Sequence, residues 1–208
     1  MLPRLYAILD AGLCRDRGLD PLPVLDAFLA GGATLIQLRD KSSSSARRLA
    51  LADAVVARAH AAGARIIIND RADVARLSGA DGVHVGQDDL SVAEVRAVVG
   101  AAAGVGLSTH DEAQVEAAAA TSATYIAVGP MYATATKDTG YGARGLDLVR
   151  YAATFGRPVV AIGGITLARA PEVIAAGATA VAVISDLLSG PRPEDRVRSF
   201  IDRLSGRV

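Results

Sequence analysis

The sequence predicts an α/β chain folded as a single TIM (β/α)8 barrel over residues 1–208. Three observations carry this expectation. Short apolar runs rich in Val and Ile recur along the whole chain, and few of them show strict polar alternation, so they read as parallel strands covered on both faces. A helix-like segment follows each run, and Gly-Ala pairs (Gly32-Ala33, Gly63-Ala64, Gly79-Ala80, Gly177-Ala178) sit where a helix hands over to the next strand. Glycine there suits the left-handed turn that ends a helix. Polar residues, finally, collect where the runs end, while their beginnings offer mainly Gly, Ala and Thr. Barrel enzymes place their ligand groups at those carboxyl ends.

Taken in order, the first run is LYAIL, which leads into DAGLCRDRG. That turn lacks the GxGxxG that a doubly wound open sheet usually carries, which favours the barrel over its competitor. TLIQL ends in Gln37-Leu38-Arg39-Asp40-Lys41, and RIIIN in Asn69-Asp70-Arg71. GVHVG runs into Gln87-Asp88-Asp89, and GVGLS into Thr109-His110. YIAVG opens a long connection, GPMYATATKDTGYGARG, before a helix over Leu146 to Phe155. Long connections in compact domains tend to be lids or binding loops. PVVAI ends in Gly163-Gly164, and AVAVI in Ile184-Ser185.

Composition narrows the function. The formal net charge is zero, so no global field recruits nucleic acid or an acidic membrane, and attraction to an anion must be local. Cys14 stands alone, which excludes an internal disulfide and fits a reducing compartment; it reads as an inert small residue. Arg4 and Asp10 interrupt the first apolar run and spoil a signal peptide, and no apolar stretch is long enough to span a bilayer. The expectation is a soluble cytoplasmic protein. A homodimer is an expectation drawn only from the size of such barrels.

Arg39 and Lys41 flank the exit of an apolar strand, and Lys137 in the long connection adds a third cation. A planar fork and two compact charges suit phosphate oxygens. Asp70 and Asp89 come from adjacent strand ends. Each alone could cap a helix, Asp70 the one beginning at Arg71 and Asp88 or Asp89 the one near Ser91. Together, facing one mouth beside cations, they suit Mg2+ held by carboxylates, phosphate oxygens and water. Gly163-Gly164 and Ile184-Ser185 follow the last two strands, where backbone amides commonly hold phosphate. Ser108 and His110 invite a nucleophile-and-base pair, but no orienting third group is evident, and Ser108 reads as a hydrogen-bonding residue. His84 reads as a packed histidine.

QLRDK, INDR, DGVHVGQDDL, GLSTH, AVGPMYATATK and AIGGI, in this order and spread from the first strand to the last, closely resemble the thiamine-phosphate synthase family. The resemblance implies a Mg2+-dependent TIM-barrel transferase. It joins 4-amino-2-methyl-5-hydroxymethylpyrimidine diphosphate to a thiazole phosphate, giving thiamine phosphate and pyrophosphate by a dissociative path. Carried over by position, Gln37, Leu38, Arg39, Asp40, Lys41, Asn69, Ser108 and Lys137 would hold the pyrimidine diphosphate, with Arg39, Lys41 and Lys137 stabilising the leaving group. Asp70 and Asp89 would bind the metal. Thr134, Ala135, Thr136, Gly164, Ile184 and Ser185 would hold the thiazole phosphate. Departures are small: Asp40 stands where the family often has Glu, Ala133 where it often has Pro, and Leu9 where it often has Thr.

The rival readings are a thiazole tautomerase with His110 as acid–base group, a non-catalytic phosphate-ligand binder, and a phosphosugar isomerase. The first needs no pyrophosphate site, the second wants a partner surface, and the third wants a strand-end glutamate that the sequence lacks.

Overall fold

The computed structural model describes residues 2–133 and 140–206. The eight strands are β1 (Leu5–Asp10), β2 (Leu35–Arg39), β3 (Arg65–Asn69), β4 (Gly82–Val85), β5 (Gly104–Thr109), β6 (Tyr125–Val128), β7 (Val159–Ile162) and β8 (Ala180–Val183). They close in sequence order into a barrel, and every neighbouring pair is parallel. The ring shuts where β1 meets β8, with Leu5 opposite Val181 and Ala7 opposite Val183.

Helices fill the crossovers: α1 (Ala11–Asp16), α2 (Pro21–Ala30), α3 (Ser45–Ala61), α4 (Ala72–Ser78), α5 (Val92–Val99), α6 (Glu112–Ala119), α7 (Gly145–Ala153), α8 (Ala170–Ala175) and α9 (Pro193–Ser205). A 3-10 turn over Ser185–Leu188 precedes α9. The short α1 is an addition to the sequence expectation. Asp10 caps it by accepting from the Leu13 amide at 2.9 Å, a strong start signal for so short a segment.

The four Gly-Ala joints do what their composition predicts. Gly32, Gly63, Gly79 and Gly177 all take positive φ. The alanine amide after each bonds back five residues, Ala33 to Phe28, Ala64 to Ala59, Ala80 to Ala75 and Ala178 to Val173. That closure satisfies the last helical carbonyls and aims the chain into the sheet.

Side chains alternate across each strand. One set, including Leu38, Ile66, Ile68, Val83 and Val105, lies under the helices in the larger core. The other set points into the barrel: Tyr6, Ile8, Leu35, Ile67, Tyr125, Ala127, Val160, Ala180 and Ala182 form the inner cluster. On β2 to β5 the inward positions nearest the carboxyl ends are polar (Arg39, Asn69, His84 and Ser108), whereas β7 and β8 bring Ile162 and Ile184 to the mouth. Cys14 is buried, and burial above all pushes its thiol up to about 11, in keeping with an inert residue. Among the described residues, no helix is long and apolar enough to cross a membrane.

Candidate active site

The mouth is a cavity of about 780 Å³ at the carboxyl ends of the strands. Gln37, Arg39, Lys41, Asn69, Asp70, Asp89, Ser108, Gly164, Ile184 and Ser185 all line it. These residues are separated by up to 148 positions in the chain, and the barrel gathers them because each lies in the carboxyl half of a strand or just beyond it. Thr134, Ala135, Thr136 and Lys137 lie outside the described residues.

Leu38 and Asp40 do not line the cavity. Inward residues alternate with outward ones, so between Gln37 and Arg39 the Leu38 side chain faces the helix-side core. Asp40 is buried against Arg15, whose guanidinium donates to it at 3.0 Å, and it accepts from the Ser43 amide at 3.3 Å. Burial works against its anion, but the bonds from Ser43 and Arg15 together with the Arg15 charge outweigh that and hold its carboxyl below the usual range. Both side chains are therefore withdrawn from the ligand set.

Arg39 and Lys41 are each paired with an acid rather than merely adjacent to one. Arg39 Nη1 lies 2.5 Å from Asp10 Oδ2, and Lys41 Nζ lies 2.7 Å from Asp70 Oδ2. Asp10 thus acts twice, capping α1 with one oxygen and fixing Arg39 with the other. Its position at the inward parity of β1, two residues beyond Ile8, is the signal that identifies it.

Neither candidate metal ligand is a helix cap. Asp70 precedes Arg71, the N-cap of α4, which makes no side-chain cap bond. Asp70 itself holds φ 62°, a left-handed conformation uncommon for a residue with a Cβ. Ser91 caps α5 through a reciprocal capping box with Glu94, relieving Asp88 and Asp89 of that duty. Asp89 Oδ2 accepts from the Gly86 amide at 2.8 Å and closes its own turn. Two carboxylates on the wall of one cavity offer the hard oxygen donors that Mg2+ takes, with room for substrate oxygens and water. Among the described residues no group of three or more His, Cys, Asp or Glu converges, so protein ligands alone form no complete metal cage.

Ser108 pairs with His84, not with His110: His84 Nε2 lies 2.8 Å from Ser108 Oγ. His110 Nδ1 lies 2.6 Å from the Gly129 carbonyl and its ring stacks on Tyr141 at 4.4 Å. His84, read from sequence as a packed histidine, is thus part of the cavity lining.

Gly163 and Gly164 take φ 102° and 63°, and their close neighbours are residues 130–133. A Cβ on Gly164 would lie 2.8 Å from the Ala133 carbonyl oxygen, and one on Gly163 would lie 2.6 Å from Pro130 Cβ. The start of the long connection runs along this turn, with Met131 N donating to Ile162 O and Tyr132 N to Gly163 O. Its far end returns to the same place, where Arg144 N donates to Pro130 O at 2.7 Å and Gly145 N to Met131 O at 3.1 Å. Arg17 and Arg169 also border the cavity. Arg169 packs 4.3 Å over the Tyr132 ring and donates to the Gly164 carbonyl. Arg17 directly follows α1 and Arg169 directly precedes α8, so neither carries a strand-end signal in the sequence.

A family model described as Thiamine monophosphate synthase matches residues 5–187. The thiamine-phosphate synthase of Roseiflexus castenholzii is 41% identical over 198 residues, covering 95% of this chain and 86% of that protein. The thiamine-phosphate synthase of Mycolicibacterium paratuberculosis is 47% identical over 192 residues, covering 87% and 84%. Among solved structures, a thiamine phosphate pyrophosphorylase from Pyrococcus furiosus aligns with a TM-score of 0.86 at 26% identity, covering 98% of this chain and 96% of that one. A 3-hexulose-6-phosphate synthase aligns at 0.68 and 18% identity, a likeness of fold alone.

Proposed function

The chain belongs to the thiamine monophosphate synthase family, and on that premise we propose that it joins the hydroxymethylpyrimidine diphosphate to a thiazole phosphate, releasing pyrophosphate and forming thiamine phosphate. It is a transferase of an alkyl or aryl group. The observation that carries the reading is that one cavity takes in every described candidate residue except Leu38 and Asp40. The proposal includes a cytoplasmic location and use of Mg2+. A homodimer would find apolar surface at Leu77 and Val98, which are exposed on the packed helices α4 and α5.

The pyrimidine diphosphate would lie against Gln37, Asn69 and Ser108, with its phosphates toward Arg39 and Lys41. The thiazole phosphate would lie toward Gly164, Ile184 and Ser185, with Thr134, Ala135 and Thr136 as its further contacts and Lys137 as a contact of the pyrimidine diphosphate. In the reaction the carbon–oxygen bond breaks with its electron pair leaving on pyrophosphate, and the aminopyrimidine ring stabilises the methylene cation. The thiazole nitrogen lone pair then forms the new carbon–nitrogen bond. Asp70 and Asp89 would hold Mg2+, which when bound neutralises charge on diphosphate oxygens. Lys41 pairs with Asp70, and it would exchange that carboxylate for a phosphate oxygen when the diphosphate binds. Arg39 needs no such exchange, because Asp10 fixes it from behind and leaves the rest of its fork of donors for phosphate. Fixed donors of this kind stabilise a departing anion without reorganisation. Residues that hold the two substrates together add proximity and exclude the water that would quench the cation.

Purified protein mixed with both substrates and Mg2+ should yield thiamine phosphate, resolved from its precursors by liquid chromatography. Isomerised thiazole phosphate without that product would overturn the reading in favour of the tautomerase.

A further inference from the structure

Beneath the mouth runs a series of hydrogen bonds that the transfer reaction leaves unused. Gln37 Nε2 donates to the Tyr6 hydroxyl at 3.0 Å, and the Tyr6 and Tyr125 hydroxyls lie 3.0 Å apart. The Tyr125 hydroxyl lies 3.0 Å from His84 Nδ1, and His84 Nε2 lies 2.8 Å from Ser108 Oγ. These side chains come from β2, β1, β6, β4 and β5, so the run crosses the barrel from side to side. The two tyrosine rings meet edge to face at 5.9 Å, and the His84 ring stacks on Tyr125 at 5.7 Å. Gly106 admits the crossing, because a Cβ there would overlap the Tyr125 ring. A glycine inside a strand weakens it, and here the gap it leaves is filled by that ring.

With the Gln37 amide placing Nε2 on the Tyr6 oxygen, one direction along the run leaves no phenol hydrogen idle. An amide NH2 only donates, so the Tyr6 oxygen accepts and its single hydrogen is committed to Tyr125. Tyr125 accepts in turn and gives its hydrogen to His84 Nδ1. A neutral imidazole that accepts at Nδ1 carries its hydrogen on Nε2, so His84 donates to Ser108. Burial raises the pKa of both phenols, and neither loses its hydrogen near neutral pH. In that direction Ser108 accepts from His84, which leaves its own hydrogen available to an acceptor in the cavity it lines.

We propose that this run acts as one polarised unit, in which Tyr6, Tyr125 and His84 are positioning residues that hold Ser108 as a hydrogen-bond donor to the pyrimidine diphosphate. The direction is drawn from the order of contacts and the Gln37 amide at one end, and only the identity of the acceptor rests on the proposed function. Gln37 and Ser108 are its two ends and face the cavity from different strands, so the donor state of one is set through the other.

The test reads the two parts separately. In ¹⁵N-labelled protein without ligand, the imidazoles of His60, His84 and His110 are assigned with the His60→Gln and His110→Gln variants. Neutral His84 should show the Nε2–H tautomer; the Nδ1–H tautomer would overturn the direction. Tyr125→Phe keeps the ring and removes the oxygen. It should leave His84 as a tautomer mixture and lower kcat about 10-fold or more, with KM for the thiazole phosphate unchanged. Tyr6→Phe breaks the run one bond earlier and serves if Tyr125→Phe does not fold. Unchanged kcat despite a lost tautomer preference would overturn the positioning role, as would equal rises in KM for both substrates. Wild-type protein with the Nε2–H tautomer that makes no thiamine phosphate would sink the proposed function and leave the direction standing.

Discussion

At Asp70 a left-handed backbone and a carboxylate coincide, and the side chain is spent on Lys41 rather than on the helix that follows. If it and Asp89 bind Mg2+, Asp70→Ala or Asp89→Ala should lower Mg2+-supported turnover by about 10²-fold or more, with the far-ultraviolet circular dichroism unchanged. Unaltered Mg2+ titrations in both variants would remove the metal assignment. Asp40 has a different fate. Its folded carboxyl is held below the usual value, so its contribution to stability is fully present above about pH 4 and is lost as pH falls through the folded value. Asp40→Asn should therefore be less stable than wild type near neutral pH, and the gap in urea melts should shrink under acid. A gap that grows toward low pH would reverse the sign. The two aspartates also mark how far residues can be read from sequence. QLRDK names five neighbours, but only alternate ones share a face, so Leu38 and Asp40 turn away while Gln37, Arg39 and Lys41 line the mouth. Counting in twos from Ile8 likewise reaches Tyr6 and Asp10. Composition alone hides them, because the residues facing the helices are as apolar as those facing the barrel axis. The ion pairs Arg39–Asp10 and Lys41–Asp70 join different elements, and no local pattern announces them.

At the scale of elements, the segments most legible in sequence are those whose ends carry chemistry of their own. The Gly-Ala joints predict helix ends because only a left-handed residue lets the following amide bond back to the last turn. The helix α1 is not legible in the same way, being six residues long and held by Asp10 and its neighbours rather than by a periodic apolar face. The long connection after β6 starts against the turn after β7, and its far end bonds back to that start at Pro130 and Met131. Gly164→Ala tests that anchorage. The new methyl group would sit at φ 63° within 2.9 Å of Tyr132 Cβ, which should cost about 1–3 kcal/mol in a urea melt. The KM for the thiazole phosphate should rise more than the KM for the pyrimidine diphosphate. Equal rises would separate this turn from the thiazole phosphate site.

For the molecule as a whole, closure is the decisive property. The ring has no sheet edge, since β8 pairs with β1, and α9 reinforces the seam by packing on α2 and β1. Val197 and Phe200 on α9 are fully buried, and Gly31 at the end of α2 leaves room for Val197, with a Cβ there only 2.7 Å from its neighbour's Cβ. Phe200→Ala should therefore cost about 3–5 kcal/mol, read from the urea midpoint at constant m-value. A loss under about 1 kcal/mol would place α9 outside the cooperative unit. Closure also has a bearing on traffic. Tyr6 and Tyr125, meeting edge to face, stopper the ring from below, so a molecule that enters from the top has no back door. Two guests and two departing products must share one threshold, and whichever lies deeper has to wait for the one above it to go.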